Sequence, residues 1–137
     1  MPKQKILPAD QTVLLIDDES SWLGAISGIL KREGFRVISS GSGEDALAKL
    51  KQQRPDLILS DVRMPEMNGF DFYEKVRSNP ELASVPFVFM SSIDDYDAKR
   101  VARELGADDY LEKPYDASKI KIIVHDLFSK FRSRGTI

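Results

Sequence analysis

At 137 residues, with 20 Lys and Arg against 22 Asp and Glu for a net charge of -2, the chain has the length of one ordinary domain and mixes charges of both signs. That balance carries no electrostatic footprint for nucleic acid or an anionic membrane, and the lack of cysteine excludes disulfides and thiolate metal sites. No apolar run reaches signal-peptide or transmembrane length, so a soluble, cytoplasmic domain is expected.

Met1 to Gln11 carries two prolines and no periodicity, as a tail would. Thr12 to Ile16 is a continuous apolar run, the pattern of a strand buried on both faces. It ends at Asp17-Asp18-Glu19-Ser20-Ser21, which joins acids at a strand end to residues that start helices. Trp22, Ala25, Ile26, Ile29 and Leu30 then repeat with helical period to about Glu33, and Gly34 stops the helix. Phe35 to Ser39 is a second strand. The Gly41-Ser42-Gly43-Glu44 turn leads to a helix with Ala46, Leu47 and Leu50 on its apolar side.

Leu57-Ile58-Leu59-Ser60-Asp61 is a short branched-aliphatic strand between Pro55 and Pro65, ending in one acid. Pro65 to Gly69 is a turn by composition, and Phe70, Phe72, Tyr73 and Val76 predict a helix ending before Pro80. Val85 to Met90 is a fourth strand, its proline at the start where a missing donor is tolerated, and Ser91-Ser92 closes it. A helix over about Asp95 to Leu105 ends at Gly106. Asp109 to Glu112 is a short fifth strand ending at Lys113-Pro114, and a last helix covers about Ala117 to Phe131.

Five strand-then-helix repeats imply a parallel sheet with helices on both faces. All strands then end on one edge, where open α/β folds bind ligands. Asp17, Asp18, Asp61, Ser91, Ser92 and Lys113 fall there. Each has a bland role alone: a helix cap, a turn former, a satisfied hydroxyl, a solvated loop lysine. Together, each at a strand end, they make a site. Three carboxylates in one pocket repel unless a cation joins them, and an all-oxygen set with open positions suits Mg²⁺, with Mn²⁺ as a substitute. A metal and Lys113 around one acid suit a phosphoryl group, with Asp61 as the best nucleophile.

Asp17-Asp18, Asp61-Val62-Arg63-Met64-Pro65 with Asn68-Gly69, Ser91, and Gly106 to Leu111 with Lys113-Pro114 together resemble the receiver domain of two-component response regulators, of the chemotaxis-regulator type. The resemblance runs from Val13 to about Phe131. It implies a flavodoxin-like five-stranded parallel sheet in the order 2-1-3-4-5, and a receiver over 12–131 between tails at 1–11 and 132–137. It implies that Asp61 is the phosphoacceptor in a phosphorelay, fed by a sensor histidine kinase or a histidine phosphotransfer protein. Asp18, Asp61 and the Arg63 carbonyl would hold Mg²⁺, with Asp17 assisting through water. Lys113 would pair with Asp61, and the Lys113-Pro114 bond would be cis. Ser91 and Tyr110 would be the switch hydroxyl and aromatic, changing the surface of the fourth helix, fifth strand and fifth helix. That surface would serve a downstream protein, an appended output domain or a homodimer, with no direct nucleic-acid or membrane binding.

Ser92 and the last helix depart from the family pattern. Ser92 stands where alanine or glycine is usual, and Arg63 and Ile93 hold positions that tune hydrolysis. Apolar Ile93 cannot orient water, so a long-lived phosphoryl state is expected. An arginine of the transcription-factor dimer aligns near Ile123, which puts that charged network in doubt. Gly24 and Gly28 lie one helical turn apart. They are either tolerated surface glycines or a low surface for a partner helix. His125 is given no catalytic role. The expected domain is not a turnover enzyme. A Mg²⁺-dependent phosphohydrolase would need an acid where Arg63 stands, and a flavin module a hydroxyl- and glycine-rich loop where Asp17-Asp18-Glu19 stands. A degenerate receiver serving as a protein scaffold stays open.

Overall fold

The structure, a computed structural model, describes residues 11–113 and 117–134. The expected cis Lys113-Pro114 bond, most of the expected N-terminal tail, and the Leu127, Phe128 and Phe131 side chains lie outside the described residues. The elements are β1 (Thr12–Ile16), α1 (Ser20–Arg32), β2 (Arg36–Ser40), α2 (Gly43–Leu50), β3 (Leu57–Asp61), α3 (Gly69–Arg77), β4 (Phe87–Ser92), α4 (Tyr96–Leu105), β5 (Asp109–Lys113) and α5 (Ala117–Arg134). All neighbouring strands pair in parallel, in the order β2-β1-β3-β4-β5. None of the described helices is long and apolar enough to cross a membrane.

The period-2 alternation of buried strands divides the core in two. Leu14, Ile16, Ile58, Phe87 and Phe89 point to the side of α2, α3 and α4, where Phe72, Tyr73, Ala98 and Ala102 cover them. Val13, Leu15, Leu57, Leu59, Val88, Met90 and Leu111 point the other way, under Ile26 and Leu30 of α1 and Ile120 and Val124 of α5. β1 and β3 have every residue buried, which explains their unbroken apolar runs.

Among the described residues, three helices begin on side-chain caps. Ser42 accepts from the Asp45 N–H, Asn68 from Asp71 and Asp95 from Ala98. Gly106 ends α4 at φ 80°, a left-handed conformation that glycine adopts without penalty.

Several boundaries differ from expectation: β5 includes Lys113, and α5 runs to Arg134 past the expected Phe131. Phe35 precedes β2; its N–H bonds the Leu30 carbonyl, so it closes α1 and packs beneath it. β4 starts at Phe87 and runs through Ser91 and Ser92, because Ser91 pairs with Glu112 and Ser92 with Lys113 of β5. On α1, Ala25 is exposed and Ser27 is buried. The buried stripe is Ile26, Ser27 and Leu30, and Ala25 lies about 140° round the helix from Leu30, outside it.

Candidate functional site

The pleat sorts the functional groups by face. Asp17 continues the parity of Val13 and Leu15, Asp61 that of Leu57 and Leu59, and Lys113 that of Leu111. All three therefore emerge on the α1 and α5 side. Lys113 Nζ lies 2.9 Å from Asp17 Oδ2 and 3.6 Å from Asp61 Oδ1, tying the end of β5 to the ends of β1 and β3. Its closer partner is Asp17. The Trp22 ring lies 5.6 Å from the same ammonium, so α1 places an aromatic face at the lip of the pocket.

Asp17 is fully buried and Asp61 is 5% exposed, whereas Asp18 faces solvent. Asp17 Oδ1 accepts the Glu19 N–H and Asp61 Oδ1 accepts the Val62 N–H, which fixes both carboxylates at their strand ends. Burial, with the Asp17 charge next to it, pushes the Asp61 carboxyl up from 3.8 to about 7, against the pull of Lys113 and the Val62 N–H. Burial disfavours the Lys113 ammonium too, but its hydrogen bond to Asp17 and the charges of Asp61 and Asp17 outweigh this, and its pKa rises. One ammonium thus leaves the acids short of positive charge. Asp17, Asp18 and Asp61 each offer an oxygen, all within 4.8 Å of one another, a donor set that fits a hard divalent cation.

Gly69 explains how α3 approaches this site. A Cβ there would lie 2.2 Å from the Asp61 carbonyl oxygen and 3.0 Å from Val62 Cα. Its N–H donates to the Val62 carbonyl at 2.8 Å. Only a residue without a side chain lets the start of α3 rest on the end of β3.

The Ser91 and Tyr110 positions have the opposite parity, with Phe87 and Phe89, on the α3 and α4 side. Ser91 Oγ is buried and donates to Asp95 Oδ2 at 3.0 Å. The Tyr110 hydroxyl is buried and finds no hydrogen-bond partner among the described residues. Burial raises its pKa; the nearby Ser91 hydroxyl tempers that, but its donor is committed to Asp95. Ser92 and Ile93 are exposed, Ile93 at 57%.

The family model described as the response regulator receiver domain matches residues 13–125. The chain belongs to that family. Among curated proteins, this receiver is 36% identical over 109 residues to the sensory transduction protein RegX3 of Mycolicibacterium smegmatis, covering 80% of the chain and 46% of RegX3. It is 39% identical over 103 residues to the transcriptional regulatory protein AfsQ1 of Streptomyces coelicolor, covering 75% of the chain and 44% of AfsQ1. It thus spans about half the length of these relatives. Among solved structures, the signal receiver domain of a signal transduction histidine kinase from Syntrophus aciditrophicus superposes at a TM-score of 0.81 and 29% identity, covering 88% of this chain and 91% of that one. Receiver domains bind Mg²⁺ at an acidic cluster, and in this receiver the acidic group is Asp17, Asp18 and Asp61.

Asp95 was legible in the sequence only as the start of a helix. In the receiver structure it is a junction. Arg63 grips it with two hydrogen bonds, Nε to Oδ2 at 2.8 Å and Nη2 to Oδ1 at 2.9 Å. Those bonds hold the Asp95 carboxyl down at about 2. An arginine two residues after Asp61 and an acid four after Ser91 are the only sequence signals, and their meeting requires two loops to be adjacent. His125 faces α1, with Nε2 3.1 Å from Glu33 Oε1, and takes no part in the site.

Proposed function

We propose that this receiver accepts a phosphoryl group on Asp61 from a phosphohistidine of a sensor histidine kinase or a histidine phosphotransfer protein. The observation that carries the reading is the close oxygen cluster of Asp17, Asp18 and Asp61 with Lys113 reaching both buried acids. The Asp61 carboxylate attacks phosphorus in line; the new P–O bond forms as the P–N bond to the donor imidazole breaks. Lys113 turns from Asp17 and Asp61 to the phosphoryl oxygens. Asp18, Asp61 and the Arg63 carbonyl would hold Mg²⁺, with Asp17 assisting through water. Bound there, the ion supplies positive charge to the phosphoryl oxygens and lets Asp61 ionise.

The Ser91 hydroxyl then donates to the phosphoryl group, Tyr110 repacks beside it, and the face of α4, β5 and α5 changes for a downstream protein, an output domain or a second copy. Exposed, apolar Ile93 offers nothing to aim a water at phosphorus, and Ser92 narrows the approach. The phosphoryl group is accordingly long-lived, and this domain does not act as a turnover enzyme.

Intact-mass spectrometry tests the reading. With Mg²⁺ and a phosphohistidine or acyl-phosphate donor, one phosphoryl adduct is expected on wild type and none on Asp61→Asn or after chelation. An unmodified wild type would leave a protein-binding scaffold, and a label lost within seconds would remove the long lifetime.

A further inference from the structure

Ser91 has one hydroxyl proton, and in this structure Asp95 holds it. Asp95 Oδ2 takes both that proton and the Arg63 Nε–H, while Oδ1 takes the Arg63 Nη2–H and the Ala98 N–H. Four donors converge on one carboxylate. The arrangement joins the loop after Asp61 to the start of α4 through an exposed arginine, whose side chain is 62% exposed, and a mostly covered acid, whose side chain is 15% exposed. Nearby, the Tyr110 hydroxyl is buried with no partner among the described residues. A buried donor left unpaired while Ser91 is spent elsewhere marks an arrangement with something to gain by changing.

We propose that Asp95, held in place by Arg63, is a latch: a positioning residue that competes with the phosphoryl group for the Ser91 hydroxyl and so sets how far the switch moves for a given ligand at Asp61. This rests on Asp61 being the phosphoacceptor. The Ser91 proton cannot serve Asp95 and a phosphoryl oxygen at once, so the phosphorylated state must break the Ser91 to Asp95 bond. Its strength is therefore subtracted from the stability of the activated state. The charged form of Asp95 makes the bond a strong one, and the guanidinium keeps that carboxylate turned toward Ser91.

Asp95→Asn separates the latch from the helix cap. Asparagine caps as well as aspartate does, provided its carbonyl oxygen stays on the Ala98 N–H. Its NH₂ then falls where Oδ2 stood, facing Ser91 and the Arg63 Nε–H. It cannot accept from Ser91 but can donate to it, which leaves the hydroxyl proton free.

The test is binding of beryllium fluoride with Mg²⁺, a phosphoryl mimic, followed by the fluorescence of Trp22, the sole tryptophan, with intact fold checked by thermal melting. Asp95→Asn is expected to bind about three- to tenfold tighter than wild type, and that gain is expected to vanish when Ser91→Ala is present in both arms. Asp95→Ser, another good cap, should behave like Asp95→Asn and serves if the first variant fails to fold. Unchanged or weaker binding in the Asp95 variants overturns the latch. A gain of equal size without Ser91 also overturns it, since that would be the general effect of removing a negative charge. No binding to wild type at all would overturn the phosphoacceptor reading itself, a result distinct from either of these.

Discussion

At Asp61 the neighbours decide the protonation state. Its carboxyl holds a proton up to about pH 7, because it is buried beside Asp17, and the unfolded chain releases that proton near the ordinary 3.8. The folded form therefore binds protons more tightly between those values. Its contribution to stability is fully present below about pH 4 and is lost as pH rises through about 7. In chelator, wild type should melt at lower temperature at pH 8 than at pH 6 if this group dominates. Asp61→Asn should erase most of that difference and gain about 1–2 kcal/mol at pH 8, less than full linkage because relaxation and water penetration soften the cost of a buried charge. Excess Mg²⁺ should restore the wild type. Equal melts of wild type and Asp61→Asn at pH 8 in chelator would show the acids unstrained.

Gly69 is the other residue whose identity is dictated. A methyl group there meets backbone at 2.2 Å, and backbone cannot swing aside as a side chain can. Gly69→Ala should cost roughly 2 kcal/mol or more in denaturant unfolding and should lower phosphorylation by moving the end of β3. By contrast, Glu66 sits at φ 67° with an ordinary side chain. Glu66→Gly should relieve that conformation and stabilise by about 0.5–1 kcal/mol.

Among the elements, α4 is lightly anchored. It buries only Ala98 and Ala102 fully, where α3 buries Phe72, Tyr73 and Val76. Two alanines contribute little apolar area, so the helix beside the proposed switch residues Ser91 and Tyr110 is also among the cheapest to shift. α1 has a different device. Gly24 is exposed, and a methyl group added there would meet nothing within 4 Å, while one at Gly28 would meet only the end of Arg32. Gly24→Ala should therefore raise stability by about 0.5–1 kcal/mol through helix propensity alone. If this low surface receives the helix of a phosphodonor protein, the same variant should slow transfer from that protein and leave labelling by an acyl phosphate unchanged. Equal rates from both donors would leave Gly24 a plain surface glycine.

For the whole molecule, the sheet separates the acidic cluster from the proposed switch residues. Asp17, Asp61 and Lys113 leave one face, and Ser91 and Tyr110 leave the other. A ligand at Asp61 reaches the second face only across the end of β3 and β4, where Asp61 pairs with Met90 and the Val62 N–H holds the Met90 carbonyl. Hydrogen exchange with and without beryllium fluoride and Mg²⁺ should change over 91–113 and stay constant over β1 and the centre of β3. Changes spread through β1 would mean that the core, and not the α4 edge, carries the response.

The alternation of strands and helices, the buried runs of β1 and β3 and the gathering of acids at one edge were legible because each depends on local pattern: apolar period, caps and strand length. The same local logic misjudged Ala25, whose size suits either side of a helix stripe, and the end of β4, which pairing with β5 carries through Ser92. The amino-acid order by itself determined which residues reach the rim, since a parallel sheet puts every strand end there. Only the tertiary structure decided how they share partners. Lys113 prefers Asp17 over Asp61, and Ser91 gives its proton to an Asp95 gripped by Arg63. Hydrogen bonds depend on tenths of an ångström between loops far apart in the chain, and no periodicity in the sequence encodes that distance.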